Sequence, residues 1–443
     1  MLKKMLGAAM ALTLCCAIHA QDTIWQNYNK DSLKSDLAAN FKRYITYDTV
    51  SGLSNKIPST KGQEVFLKQL QKEIKAMGYT DVDFEKDGSL QVTIPSNTDS
   101  ISLTLGFIAH VDTAPYINPA NIKIQEIKAY PDGDIVINKE NNTVINPNNT
   151  PALAAVIGQD IIVSANGKAF GADPKAGVAI MMSYLKYMAQ NPQIKHGGVK
   201  VAFTTDAVVL KGTQRFNVKN FGADFAFVLD GNMSGELIDE TFYGRAFIAT
   251  FTGNRTAALG SAADNPEFVD NLQMSVDFRA SLPKDRRPET TTGRQGYIYP
   301  LMVEDKGNVS TVSGIIRDFD AAQLEALTNI VKLSVDDISS RYPNGKATLE
   351  TREQYTNMKD ALPDYVLTVA QKSMQQEFIT PVLAANRGTS EGAEFSAQAL
   401  PAPVLFMGGS NLNTEKEFVS IDVMEQALRT MVRITANTPA ITK

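Results

Sequence analysis

Residues 106–113 read GFIAHVDT, and the fold follows from this stretch. It closes a short apolar run, Ser102 to Ala109, and then breaks into His110 and Asp112. A short apolar run that ends in polar or turn residues reads as a strand. The form recurs downstream: Val199 to Thr204 and Phe225 to Asp230 are also short apolar runs with polar or turn residues at the end. Between them, Ala176 to Gln190 places Val178, Ile180, Met181, Met182, Leu185 and Met188 in a helical pattern, and its methionines read as core. Short strands alternating with longer helices predict an α/β fold. Open α/β sheets present ligands at the C-terminal ends of their strands, which is where His110, Asp112 and Asp230 fall. Asp173, in FGADPKAGVA, sits just ahead of the helix. Taken singly each is an ordinary turn residue, and His-x-Asp is a weak motif.

From Phe242 the pattern changes. A strand-like run (Arg245 to Gly253), a helical stretch after Pro266, a Pro/Arg/Thr-rich loop (Pro283 to Gly296), a strand (Asn308 to Asp318) and a helix (Ala321 to Tyr342) predict a small α+β insert. Placed at 242–355, it interrupts a domain formed by 21–241 and 356–443. Clefts between such domains are favoured ligand sites. The Asn- and Pro-rich segment Asn138 to Pro151 reads as a solvated loop without chemistry.

The 443 residues carry 43 Lys+Arg against 48 Asp+Glu, a formal net charge of −5, with no basic block. The electrostatic footprint of a nucleic-acid binder is therefore missing. The first twenty residues, MLKKMLGAAMALTLCCAIHA, read as a secretory signal: Lys3 and Lys4, an apolar run from Leu6 to Ile18, and Ala20 at the cut. The expected destination is periplasmic or extracellular; a lipid anchor on Cys15 or Cys16 is the alternative. No later segment is apolar enough for a transmembrane span. Both cysteines and His19 lie in the leader, so a chain starting after Ala20 has no thiol and only His110 and His196 as imidazoles.

Seven segments stand in order along the rest: IPSTKGQ from Ile57, GFIAHVDT from Gly106, GADPKAG from Gly171, HGGVKVAFT from His196, IIRDFD from Ile315, NRGTSEGA from Asn386 and LFMGGSN with EFV from Leu405. In these the chain resembles the peptidase T family, the tripeptide aminopeptidases among the dinuclear zinc peptidases. The resemblance implies an α/β zinc-carrying catalytic domain with an inserted ferredoxin-like lid. It makes His110 the first metal histidine, Asp112 the carboxylate that orients it, Asp173 the bridging aspartate and Asp230 the terminal carboxylate. The other half of the family site is replaced. The pattern PDEEVG is here TDAVVL, so Ala207 stands at the general base and Val208 at a ligand glutamate, while the second metal's histidine falls on Asn413. The lid histidine falls near Ala257, and His196 matches a turn. What remains is a site for one zinc or other divalent ion; a two-metal site is not expected.

Two close metals polarise a carbonyl and lower the pKa of a bridging water, whose proton the base removes. Loss of the base alone costs roughly 10²–10⁴ in rate. The carboxylates near the vacated positions are Asp206, Glu391, Glu394, Glu415 and Glu417, and Asp206 points the other way on an extended segment. Pro174 follows Asp173 where the family holds a cis peptide, so Asp173–Pro174 is expected to be cis. Arg317 and Arg387 match basic positions that the family uses around a peptide's C-terminal carboxylate, a role suited to the planar guanidinium fork. For Arg317 an ion pair with Asp318 or Asp320 is the other reading.

Three functions follow. The first is an exported peptidase T-like protein with hydrolysis lost or strongly reduced, keeping a cleft that binds short peptides by their C-terminal carboxylate. The second is an active one-metal aminopeptidase with an unorthodox base such as Asp206 or a C-terminal glutamate. The third is a partner-binding module with a vestigial cleft. Oligomeric state is not read from the sequence.

Overall fold

The short apolar runs pair into one mixed sheet. The structure, a computed structural model, describes residues 23–99, 102–209, 211–255 and 267–441. The leader and the segment around Ala257 lie outside the described residues. In chain order the strands used below are β1 (Val82–Phe84), β2 (Leu90–Ile94), β3 (Leu105–His110), β4 (Val199–Thr204), β5 (Phe225–Gly231), β6 (Glu236–Thr241), β7 (Tyr243–Thr252), β8 (Tyr297–Lys306), β9 (Val309–Asp318), β10 (Lys346–Tyr355), β11 (Val382–Asn386) and β12 (Val404–Phe406). The helices are α1 (Lys30–Tyr44), α2 (Lys61–Ala76), α3 (Ala172–Gln190), α4 (Asn271–Ser281), α5 (Ala321–Arg341), α6 (Asp364–Gln376), α7 (Glu391–Ala397) and α8 (Ile421–Asn437).

Eight strands form the large sheet in the order β1-β2-β4-β3-β5-β12-β6-β11. Its centre is parallel: β3 pairs with β4 and β5, and β5 with β12, all in the same direction. Every residue of β3 is buried, which suits its uninterrupted apolar run. The core joins this sheet to α1, α2, α3, α6 and α8, with Met181, Met182 and Met188 inside it. Parallel strands align their C-terminal ends along one edge, and that edge carries His110 and Asp230.

The second sheet is wholly antiparallel, in the order β8-β9-β7-β10. With α4 between β7 and β8 and α5 between β9 and β10, the chain order is strand-helix-strand-strand-helix-strand, the ferredoxin-like arrangement. It has its own core of Phe247, Phe251, Phe278, Val312, Ile316 and Val331 among others. This is the inserted lid.

Most predicted elements shift only at their ends. One differs in kind. Asn138 to Pro151 is not a plain loop: Thr143–Ile145 pairs with Ile135–Asn138 as a hairpin. Asn142 takes the turn with φ 53°, a conformation asparagine tolerates, and Ile145 is fully buried.

Candidate metal centre

His110 ends β3, and the next residues are pinned. Val111 donates to the Thr204 carbonyl (2.9 Å) and Thr113 to the Thr49 carbonyl (3.1 Å). The Lys175 ammonium, itself buried, holds the Val111 carbonyl (2.8 Å) and Thr49 Oγ1 (2.5 Å) and lies over the Phe66 ring. Burial pushes that lysine's pKa well below its ordinary range. Asp173 comes from the first turn of α3, entered through Gly171 at φ 79°. The Asp173–Pro174 bond is cis, as expected. Asp230 sits at the end of β5. α3 runs so close to β5 that a Cβ on Gly177 would lie 2.3 Å from the Leu229 carbonyl oxygen. That approach brings the two aspartates together.

The three side chains converge. His110 Nε2 lies 3.0 Å from Asp173 Oδ1 and 3.7 Å from Asp230 Oδ1. On its other side His110 Nδ1 donates to the Asp112 carbonyl at 3.0 Å, with Asp112 Oδ1 at 3.4 Å, so Nε2 is the nitrogen turned to the aspartates. Burial disfavours a charged ring, but the surrounding carboxylates of Asp112, Asp173 and Asp230 outweigh it and hold the His110 pKa well above its usual value. Asp173 is held low by His110 in spite of its burial, whereas Asp230 is pushed up by burial and by the Asp173 charge.

Asp173 Oδ1 and Asp230 Oδ1 are both buried without a hydrogen-bond partner. One ligand atom from each of His110, Asp173 and Asp230 lies within 4.8 Å of the others. Bonds of 2.0–2.1 Å in a tetrahedron require ligand separations of about 3.3 Å. An imidazole nitrogen and two orphaned carboxylate oxygens at these spacings fit one divalent ion with a position left open.

Glu394, half-buried on α7, keeps one oxygen buried and unpartnered, and burial pushes its pKa up to about 7. Asp112, fully buried, accepts from the backbone N–H groups of both Ala207 and Val208 at 3.0 Å, so this segment is tied to the site by its main chain and brings it no carboxylate. Asn413 Nδ2 donates to Asp173 Oδ2 at 2.8 Å. Glu417 anchors both loops: its carboxylate accepts from Phe170 N (2.6 Å), Gly171 N (3.0 Å) and Asn413 N (3.2 Å). Burial pushes its pKa up to about 7. Asp206 is buried and takes up donors from Ser59, Gln63 (2.8 Å) and Arg215 (2.6 Å). Glu415 is exposed and lines an adjoining cavity of about 440 Å³ with Tyr116, Lys168 and Asn413. Glu391, at the start of α7, accepts from Thr204 Oγ1 at 2.9 Å, and Thr204 is the register partner of His110 across β3 and β4. Its other oxygen is buried and unpartnered. Burial, with the charges of Asp112 and Asp230 and against that of His110, pushes its pKa up to about 8. Nothing in the local sequence marks Glu391 as buried; its place beside Thr204 comes from packing of segments far apart in the chain.

Arg387 spends its donors on the loop after α4: Gly293 O (2.8 Å), Gln295 O (2.9 Å) and Thr291 Oγ1 (2.8 Å). Arg317 has no carboxylate partner among the described residues, and its Nη1 is buried and unpartnered. The pairing with Asp318 or Asp320 does not form.

No family model matches the chain. Peptidase T of Geobacillus thermodenitrificans is 34% identical over 405 residues, covering 91% of this chain and 98% of its own. Peptidase T of Clostridium botulinum strain Loch Maree is 37% identical over 402 residues, covering 90% and 98%. The chain belongs to the peptidase T family. Among solved structures, an aminopeptidase PepT of Bacillus cereus superposes with a TM-score of 0.68 at 19% identity, covering 91% of this chain and 98% of that one. A dinuclear metal-binding peptidase of the M20 family from Bacillus subtilis gives 0.61 at 10% identity, covering 92% and 98%. Both share the fold of a catalytic domain with an inserted lid. No helix among the described residues is long and apolar enough to cross a membrane.

Proposed function

We propose that this chain is an exported peptidase T-family protein that has kept a one-metal, peptide-accepting cleft and lost hydrolysis. His110, Asp173 and Asp230 would hold the ion, and Asp112 would fix the imidazole by accepting from Nδ1–H through its backbone carbonyl. A bound divalent ion would polarise a peptide carbonyl. The observation that carries the reading is the hydrogen bond from Asn413 to Asp173. In the family resemblance Asp173 bridges two metals and Asn413 stands at the second metal's histidine. Here the oxygen that would face that second ion is occupied by an amide N–H, a neutral donor in place of a cation. Ala207 and Val208, at the base and ligand glutamates, point to the same loss. Export rests on the leader-like sequence of residues 1–20.

The test is restoration. Ala207→Glu, Val208→Glu and Asn413→His together should raise bound zinc from one to two ions per chain and create tripeptide turnover absent from the parent. No added zinc in a folded triple variant would overturn the reading.

One observation favours an active one-metal hydrolase instead: Glu391, a buried carboxyl with a free oxygen and a pKa pushed up to about 8, neighbours the metal centre through Thr204. A group in that range suits a general base near neutral pH. Hydrolysis abolished by Glu391→Gln with metal still bound would select this reading.

A further inference from the structure

The Pro/Arg/Thr-rich loop between α4 and β8 belongs to the lid, yet two arginines reaching in opposite directions tie it to the catalytic domain. From the catalytic side, Arg387 donates to the Gly293 carbonyl (2.8 Å), the Gln295 carbonyl (2.9 Å) and Thr291 Oγ1 (2.8 Å). From the lid side, Arg294 donates through both Nη atoms to the two carboxylate oxygens of Glu240 on β6 (2.9 and 2.6 Å). The planar guanidinium fork suits both tasks. The loop is shaped for the first. Gln295 N donates to the Thr292 carbonyl (3.1 Å), the Gln295 amide oxygen accepts from Thr292 N (3.0 Å), and Gly293 supplies the left-handed residue at φ 53°. This closed turn presents the Gly293 and Gln295 carbonyls to Arg387.

A row of rings lies between the two arginines. Phe242, where the chain first crosses into the lid, is fully buried against Phe319 (centroids 4.2 Å apart) and Tyr297 (5.8 Å). Arg387 lies over Phe242 and Tyr297 (5.4 and 5.7 Å), and Arg294 over Phe319 (4.7 Å). At the second crossing, buried Asn357 accepts from Thr241 N (3.1 Å) and donates to the Phe319 carbonyl (3.2 Å). A lid swinging about these two crossings carries the 291–295 loop away from Arg387 and Arg294 away from Glu240, so one motion breaks both contacts. Glu240 is 8% exposed, and its pKa is held low first by Arg294; its other cation, Lys359, stands farther off at 3.9 Å. Opening would strip a shielded carboxylate of its nearer partner. We propose that Arg387 and Arg294 form a reciprocal latch that holds the lid against the catalytic domain with no peptide in the cleft and sets how often the cleft opens. The latch does not depend on whether the chain hydrolyses peptides.

The experiment is hydrogen exchange of the peptide-free chain beside Arg387→Ala, Arg294→Ala and the double variant. Phe242 N donates to the Asn386 carbonyl at 3.3 Å, across the domain boundary, so its exchange reports opening. Arg387→Ala removes three bonds and should speed exchange at Phe242 at least about tenfold. Arg294→Ala removes a side chain that is 63% exposed, so the fold is kept, and should speed it about threefold. In the double variant the two factors should multiply, with exchange in β3 as slow as in the wild type. Faster exchange confined to 291–296, with Phe242 unchanged in both single variants, would overturn the latch and leave the arginines as local anchors. A double variant no faster at Phe242 than Arg387→Ala would overturn the reciprocal action of Arg294.

Discussion

Replacing Glu391 by Gln should stabilise the metal-free protein, and increasingly so as pH rises. Glu391 is 8% exposed, and its pKa is pushed from 4.5 to about 8, by burial first and then by neighbouring carboxylates against His110. The folded state therefore holds a proton that the unfolded chain releases above pH 4.5. Stability assigned to this group is fully present below the unfolded pKa and is lost as pH rises through the folded one. The shift, from 4.5 to about 8, at 1.36 kcal/mol per unit sets a cost of roughly 4–5 kcal/mol at pH 8 and above, and of no more than about 1 kcal/mol at pH 5. Glutamine carries no such cost. Its carbonyl can still accept from Thr204, and its amide leaves two unpartnered N–H donors where the protonated acid leaves one O–H, which offsets part of the gain. The assay is denaturant unfolding of both chains with chelator present, at half-unit steps from pH 5 to 8.5, because a bound cation would favour the carboxylate. The two midpoints should nearly coincide at pH 5 and separate by about 3–5 kcal/mol at pH 8. Parallel profiles across that range would refute the burial and proximity argued for Glu391.

Gly177→Ala should weaken metal binding without touching a ligand, because its Cβ would press the Leu229 carbonyl and part Asp173 from Asp230; zinc titration should show at least a tenfold loss, and an unchanged affinity would contradict the close approach of α3 to β5. Asp206→Ala should cost about 3–5 kcal/mol by leaving Arg215 without its buried partner. The same donors hold the Asp206 pKa low in spite of burial, so its contribution is present at neutral pH and falls as pH drops through the carboxylate range; a chevron or midpoint series from pH 7 to 4 should show the wild type and variant converging.

The sheet was legible because buried parallel strands are short, mainly apolar runs, and GFIA, VKVAFT with its single Lys200, and FAFVL are too short to read as helices. The metal trio was legible through the resemblance to the peptidase T family: strand ends put His110 and Asp230 on one edge, but taken singly these residues and Asp173 read as ordinary turn residues. What stayed hidden depends on long-range packing. Asn413 meets Asp173 across 240 residues of sequence, and nothing local to NTEKEFV says that its amide would face a carboxylate. Arg387 sits in a Gly/Ser/Thr loop that suggested a ligand, yet its donors go to carbonyls at Gly293 and Gln295. Asn138 to Pro151 reads as a loop in sequence because a hairpin turned by asparagines has a loop's composition.

The central claim is that this peptidase T-family chain binds one metal and a peptide but does not cleave it. The most direct measurement is hydrolysis of a tripeptide panel by the chain loaded with zinc, manganese or cobalt, beside Asp173→Ala as the contamination control. The account predicts no turnover above that control. Metal-dependent turnover that disappears in Asp173→Ala would contradict it.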